Sequence, residues 1–282
     1  MTPDMSSDRQ IPDLRHWSGT LVLVGAGKMG GALLDGWLQS GLDPAHIAVL
    51  EPEPSPQVAA LAGRGLRLNP GAPLRSVSAI VIAVKPQMAE QAVPVIGPML
   101  GPTTLVVSIM AGRTLRFLSQ ELPRAGAVVR AMPNTPAAIG RGITVAVALR
   151  ASEAQRGLAH RLLAATGAVE WIDDETLMDA VTAVSGSGPA YLFLLAETLA
   201  QAGIAAGLPP ALAAKLARET IAGAGELLHR SPLDAATLRE NVTSSGGTTA
   251  AALDVLTGEN GLATLMREAV AAATKRSRRL AG

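Results

Sequence analysis

From Thr20 onward the chain alternates between short, continuously apolar runs rich in β-branched residues and longer stretches with helical spacing. The first run, Leu21-Val22-Leu23-Val24, follows a polar start. Similar runs recur at 47–50, 79–84, 104–108, 127–130, 143–149 and 168–172. Each has the length of a strand and is apolar on both faces, as in a parallel sheet covered on both sides. Helical spacing fills 29–39, 57–62, 87–96 and 152–165, giving the strand–helix alternation of an α/β fold.

After about Glu175 the strand signal stops. Ala and Leu dominate, and breaks at 186–189, 207–210, Ser231-Pro232 and 244–247 mark off helices. The pattern predicts a flexible N-terminal extension over 1–17, an α/β domain over 18–174 and an all-helical domain over 175–282. The helix beginning near Tyr191 is apolar on nearly every side, with Leu192, Phe193, Leu194, Leu195, Leu199 and Ile204. Such a helix must be buried all round. About 100 residues can hardly cover several of them, so a second copy of the chain is expected to do so, giving at least a homodimer. A helix sandwiched inside its own chain is the alternative.

Composition narrows the function. A length of 282 residues suits two domains at roughly 150 residues each. With 48% hydrophobic and 17% charged residues, intrinsic disorder of the chain body is excluded. The net charge of +1 points to neither nucleic acid nor an acidic membrane as partner. The chain has no cysteine, which removes disulfides, thiolate zinc sites and cysteine nucleophiles. His16, His46, His160 and His229 stand far apart, so no metal site is expected. The first 17 residues are polar with acids mixed in and read as neither signal nor transit peptide. The most apolar later segment, 191–206, is interrupted by Glu197 and Gln201, short of the roughly 20 residues of a membrane span. A cytoplasmic protein is expected.

The first chemical motif is Gly25-Ala26-Gly27-Lys28-Met29-Gly30, directly after a strand and opening a helix. In that context the glycines serve a tight turn, close approach of a pyrophosphate, and close helix–strand packing, while the helix N-terminus offers its N–H groups to phosphate. Glu51 ends the second strand, where a carboxylate accepts hydrogen bonds from ribose hydroxyls and repels a 2′-phosphate. Arg64, Arg67 and Arg75 lie downstream and could instead fold over a phosphate. On these residues NADH is favoured modestly.

Ala83-Val84-Lys85-Pro86 and the segment 108–112 with Met110 and Ala111 end the next two strands, so both should line the cofactor crevice. Pro86 holds Lys85 out of helical geometry; its ammonium either faces the cofactor or is solvated. Met132-Pro133-Asn134-Thr135-Pro136 forms a rigid loop at the same edge. In the helical half, 185–189 (SGSGP) reads as architectural. The segment 241–249 (NVTSSGGTT) places five hydroxyls and two glycines before a helix, a receptor for a small carboxylate; an elaborate N-cap would need only one Ser or Thr.

Taken together, GAGKMG, AVKPQ, VRAMPNTPA, DAVTAVSGSGPAY and LRENVTSSGGTTAAALDVL, in this order and spacing, resemble the pyrroline-5-carboxylate reductases, from Thr20 to the end of the chain. The resemblance implies an N-terminal Rossmann dinucleotide-binding domain, a C-terminal helical dimerisation domain, dimers that often form larger rings, and reduction of a cyclic imine to L-proline by NADPH or NADH. It implies that Thr249 bonds the ring nitrogen, that Ser244 with the backbone of Gly247 and Thr248 receives the carboxylate, and that Asn241 lies near the nicotinamide. It also implies a substrate-side acid at Glu175, for which a helix-start glutamate is an equally good reading. A hydroxyl is a poor general acid, so Thr249 is expected to orient a nitrogen protonated beforehand or through water. Because the helical domain is shared between subunits, the active site could combine two chains. Two positions depart from the family: Glu51 stands where Ser or Thr is frequent, and Ala72 where an Asn often supports a 2′-phosphate. Family habit thus favours NADPH and these residues NADH.

Two rivals remain. A 3-hydroxyacid dehydrogenase of similar build needs a catalytic lysine after the glycine-rich turn, yet Ala190, Tyr191, Leu192 and Phe193 follow Pro189, and no lysine appears until Lys215. A non-catalytic dinucleotide sensor would have no use for the carboxylate receptor at 244–249.

Overall fold

A computed structural model describes residues 12–71 and 74–280. Over these residues the chain forms two compact units. One runs to Gly186 and takes in the chain again from Ala273; the other spans Ser187–Ala272.

The first unit is built on an eight-stranded sheet: β1 (Thr20–Val24), β2 (Ile47–Leu50), β3 (Arg67–Leu68), β4 (Val77–Ile82), β5 (Leu105–Ser108), β6 (Ala127–Met132), β7 (Gly142–Leu149) and β8 (Gly167–Trp171). Its order is β3-β2-β1-β4-β5-β6-β7-β8. The order reverses between β1 and β4, and at such a switch point the carboxyl ends of adjacent strands open a crevice. Pairing is parallel except between β6 and β7, where Val128 faces Leu149 and Met132 faces Val145 in antiparallel register. The expectation of a wholly parallel sheet is corrected there. Only residues 133–141 join the two strands, fewer than the dozen or more that a parallel crossover requires.

Helices α1 (Lys28–Gln39), α2 (Pro56–Ala60), α3 (Ala89–Ile96), α4 (Leu115–Glu121), α5 (Glu153–Ala164) and α6 (Met178–Val181) belong to this unit. Alternate residues of one strand serve opposite faces. Leu21 and Leu23 of β1 pack with Leu33, Leu34 and Trp37 of α1 and Leu162 of α5. Val22 and Val24 pack with Val93 and Ile96 of α3 and Leu118 of α4. This double burial is why the strands read as unbroken apolar runs. Within the stretch assigned from the sequence to a flexible extension, Leu14 is buried in the core at 2% exposed and its N–H donates to the Ser40 carbonyl at 2.9 Å, while Asp13, Arg15 and His16 beside it are exposed. Residues 1–11 of that extension, and Ala72, lie outside the described residues.

The second unit is helical: α7 (Gly188–Ala205), α8 (Pro210–Arg230), α9 (Ala235–Asn241), α10 (Thr248–Leu256) and most of α11 (Leu262–Leu280). Helices α7 and α8 pack along each other, with Gly203 fitting against Leu208 and Ala213. No helix among the described residues is long and apolar enough to cross a membrane.

Trp37 is fully buried and its indole N–H donates to the Leu162 carbonyl at 2.8 Å, joining α1 to α5. Replacing it by alanine removes both the ring and that bond. Trp37→Ala is expected to cost about 3–5 kcal/mol, read as a lowered urea midpoint in a denaturation curve, with Trp37→Phe losing a smaller part.

Candidate active site

The chain leaves β1 through a turn that only glycine fits. Gly25 has φ 90°, in the left-handed region, and a Cβ there would lie 2.8 Å from the Ala83 carbonyl oxygen. At Gly30 a Cβ would collide with the carbonyl oxygen of Gly25, so helix α1 can start this close to β1 only without a side chain. A Cβ at Gly27 would meet nothing within 4 Å. Gly27 is also the N-cap of α1, and no side chain caps the helix. The first-turn N–H groups of a 12-residue helix therefore open onto space, and with the positive end of the helix dipole they form an anion receptor. The residues present fit a pyrophosphate.

Two recesses flank this helix start. One, of about 670 Å³, is bounded by Gly27, Lys28, Asp35, Glu51, Glu53 and Arg64. The other, of about 740 Å³, is bounded by Lys28, Met29, Ala83 to Pro86, Ile109, Ala111 and the loop Met132 to Thr135, with Gly186 behind it. The Gly27 and Lys28 walls are common to both, so a two-headed ligand with its phosphates on α1 would reach one recess with each end.

Glu51 is half-buried at the end of β2. Its Oε2 accepts from the Ala26 N–H at 2.7 Å and its Oε1 from the Glu53 N–H at 3.2 Å. A carboxylate has about four acceptor positions, so lone pairs remain for hydroxyls in the first recess. Sequence reading missed Asn69. Its side-chain oxygen accepts from the Glu51 N–H and its amide donates to the Glu51 carbonyl, each at 2.8 Å. The positive φ of Asn69, 45°, is a backbone state that Asn tolerates better than most residues.

In the second recess Lys85 is exposed and extended (φ −63°, ψ 146°), as Pro86 requires. Arg113 donates through Nε at 3.3 Å and a terminal nitrogen at 3.0 Å to the Pro86 carbonyl, tying the loop after β5 to the loop after β4. The Asn134 side-chain oxygen accepts from the Ile143 N–H at 2.9 Å, fixing the loop after β6. Met110 does not face the recess: it is 2% exposed in the core, and its neighbours Ile109 and Ala111 line the wall. Gly186 lies behind it because a Cβ there would press on the Met132 methyl group.

Glu175 lies in this unit, just after β8, and is held by two partners. Its Oε1 accepts from the Leu115 N–H at 2.7 Å and pairs with Arg130 at 2.8 Å, Arg130 being only 7% exposed. Next to it, Asp174 accepts from the hydroxyl and the N–H of Thr176, and these two donors hold its carboxyl below the usual range.

The remaining candidates lie in the helical unit. Asn241 ends α9. Gly247 is the N-cap of α10, which no side chain caps, so the hydroxyls of Ser244, Thr248 and Thr249 are not spent as caps on this nine-residue helix. Gly246 has φ 68° and the Gly247 N–H donates to the Ser244 carbonyl at 3.0 Å, so the loop turns tightly enough to gather its hydroxyls at the helix start. Helices α2, α4, α5 and α9, by contrast, are closed by Ser55, Thr114, Ser152 and Asp234. No group of three or more His, Cys, Asp or Glu among the described residues could hold a metal.

The glycine turn generates a paired prediction. Gly27→Ala is expected to leave the melting temperature unchanged or slightly raised, because its backbone suits alanine, while weakening dinucleotide binding roughly tenfold or more by calorimetry. Gly30→Ala is expected to lower the melting temperature, because its Cβ meets backbone.

Two family models match the chain: one described as pyrroline-5-carboxylate reductase dimerisation over residues 175–280, and one described as NADP oxidoreductase coenzyme F420-dependent over residues 20–112. The chain is 38% identical over 266 residues to a pyrroline-5-carboxylate reductase of Pseudomonas aeruginosa, covering 93% of this chain and 96% of that one. Among solved structures, a pyrroline-5-carboxylate reductase of Coxiella burnetii superposes with a TM-score of 0.85 at 30% identity, covering 94% of this chain and all of that one. A Plasmodium falciparum pyrroline carboxylate reductase with NADP bound gives 0.78 at 28% identity, with 94% and 99% covered. The glycine turn, the crevice at the strand-order reversal and the uncapped α10 are therefore found in a chain that belongs to the pyrroline-5-carboxylate reductase family.

Proposed function

We propose that the chain reduces 1-pyrroline-5-carboxylate to L-proline, the last step of proline biosynthesis, in the cytoplasm and with NADH as the preferred donor. The observation that carries this reading is the pair of helices entered through glycine without a cap. Helix α1 suits the pyrophosphate of a dinucleotide and α10 suits the carboxylate of a small acid. A dinucleotide sensor would need only the first. A hydroxyacid dehydrogenase would need a lysine that 190–193 does not supply.

The bound dinucleotide supplies a hydride to the imine carbon. The chain's own groups bind and orient. The first-turn N–H groups of α1 hold the pyrophosphate and Glu51 takes the ribose hydroxyls. Ala83 to Pro86, Ile109 and Ala111 line the recess that would take the nicotinamide. Ser244 and the backbone N–H groups of Gly247 and Thr248 receive the substrate carboxylate, placing the Thr249 hydroxyl on the ring nitrogen. No His or Cys lies in these motifs and no strong base is required, in keeping with a nitrogen that is protonated beforehand or through water. Glu175 keeps the substrate-side role that the resemblance implies, with its Oε1 held by Arg130 and the Leu115 N–H.

The dimer forms through the helical unit. In the single chain Leu192, Phe193 and Leu194 of α7 are 55%, 70% and 58% exposed, more apolar surface than a monomer of this size leaves in water without a partner.

Two measurements test the proposal. An absorbance assay of reduced dinucleotide with 1-pyrroline-5-carboxylate is expected to show turnover. Thr249→Ala should lower kcat about 10- to 100-fold, the loss of one hydrogen bond to a charged group, while leaving NADH affinity unchanged. Unchanged turnover would remove Thr249 from the mechanism. The second concerns the donor. Asp35, Glu51 and Glu53 outnumber Lys28 and Arg64 around the first recess. Like charges at 4 Å repel by about 4 kcal/mol at an effective dielectric of 20. We expect kcat/KM for NADH to exceed that for NADPH by about tenfold or more; a clear NADPH preference overturns the Glu51 argument.

A further inference from the structure

We infer that Asn69 is a positioning residue for cofactor selectivity: it clamps the end of β2 so that the Glu51 carboxylate stays on the glycine turn and cannot yield to a 2′-phosphate. The inference rests on the NADH reading above and adds the part that enforces it.

Strand β3 pairs with β2 over two positions only, Ala48 with Arg67 and Val49 with Leu68. The next residue, Asn69, donates its N–H to the Val49 carbonyl at 2.8 Å and then turns its backbone away at φ 45°. Its side chain continues the pairing: the carboxamide oxygen accepts from the Glu51 N–H and the carboxamide nitrogen donates to the Glu51 carbonyl. A side-chain amide thus mimics one more peptide of β3, which an Asn in the left-handed region can do.

Glu51 is thereby held from two sides. Its backbone is paired to Asn69, and its carboxylate to the N–H groups of Ala26 and Glu53. The chain after it, Pro52-Glu53-Pro54, is a bend with exposed members and no regular pairing. A carboxylate on an unanchored bend could rotate aside when a phosphate arrives and relieve the repulsion; one fixed on both sides must either be displaced with loss of its bonds or exclude the phosphate. Selectivity by charge alone needs Glu51, and selectivity by a charge that cannot move needs Asn69 as well.

The test uses the purified full chain with ADP-ribose and its 2′-phosphorylated counterpart, which bind without turnover, titrated by calorimetry. Asn69→Gly keeps the positive φ and deletes both side-chain bonds. It is expected to narrow the ratio of the two dissociation constants about tenfold, chiefly by tightening the 2′-phosphorylated ligand, with the kcat/KM ratio for NADH over NADPH falling in step. In a Glu51→Ala background the same substitution should change the ratio by less than about twofold, because Asn69 then has no carboxylate to hold in place. A role confined to folding would weaken both ligands in parallel. An unchanged ratio in Asn69→Gly, or an equal change in both backgrounds, overturns the inference and leaves the function standing. A wild-type chain that binds neither ligand overturns the dinucleotide reading itself, and one that prefers the phosphorylated ligand overturns Glu51 and Asn69 together.

Discussion

No Cβ fits between Gly30 and the carbonyl of Gly25, and much of the first unit's usefulness depends on that backbone contact. It lets α1 begin directly over the end of β1, at the point where the strand order reverses. A bulkier residue would push the helix outward and carry its N-terminus away from the crevice. A glycine inside a helix costs about 0.5–1 kcal/mol against alanine, a modest cost for placing several unsatisfied N–H groups where a doubly charged group must sit. Gly25, Gly27 and Gly30 thus serve different ends: a backbone turn, an open floor and a close approach.

Helix starts differ in how their first-turn donors are met. Ser55, Thr114, Ser152 and Asp234 satisfy the N–H groups of their own helices. Asp234 shows the electrostatic side of this arrangement, since the Thr237 backbone N–H holds its carboxyl below the ordinary range. Where the N-cap is instead Gly27 or Gly247, no side chain takes up these donors, as is also the case behind Met88, Ser187 and Pro209 at the starts of α3, α7 and α8. An unsatisfied donor is costly once water is removed, so such a helix start is stabilised by any anion that fills it.

Most of the α/β architecture was legible because burial on both faces leaves apolar runs too regular to miss. The run 47–50 coincides with β2, and 143–149 lies within β7. What escaped notice had weak or conflicting signals. Strand β3 is two residues long and carries Arg67, so no period could show it. Helix α4 did have a signal, Thr114 followed by Leu115, Leu118 and Leu122, in a stretch dominated by the neighbouring strand ends. The direction of β7 was readable from the short link before it. That Met110 of the 108–112 segment is buried while Ile109 and Ala111 line the recess was not legible, because a strand-end loop gives no alternation to count. Glu51 could be assigned from its spacing after Gly30, but its partners Ala26 and Asn69 are 25 and 18 residues away and meet it only through the fold.

The Arg113 bonds to the Pro86 carbonyl have a consequence for how this pocket can change over evolutionary time. They hold two strand-end loops as one frame; Ala111 lines the recess beside it, and Val84 and Ile109 line it while also packing against the core. Framework and lining are then separable: a swap at a lining position reshapes the space offered to a ring without redrawing the main chain around it. Apolar substitutions can therefore be explored one at a time at Ala111, whereas Val84 and Ile109 also pack against the core and carry a folding cost.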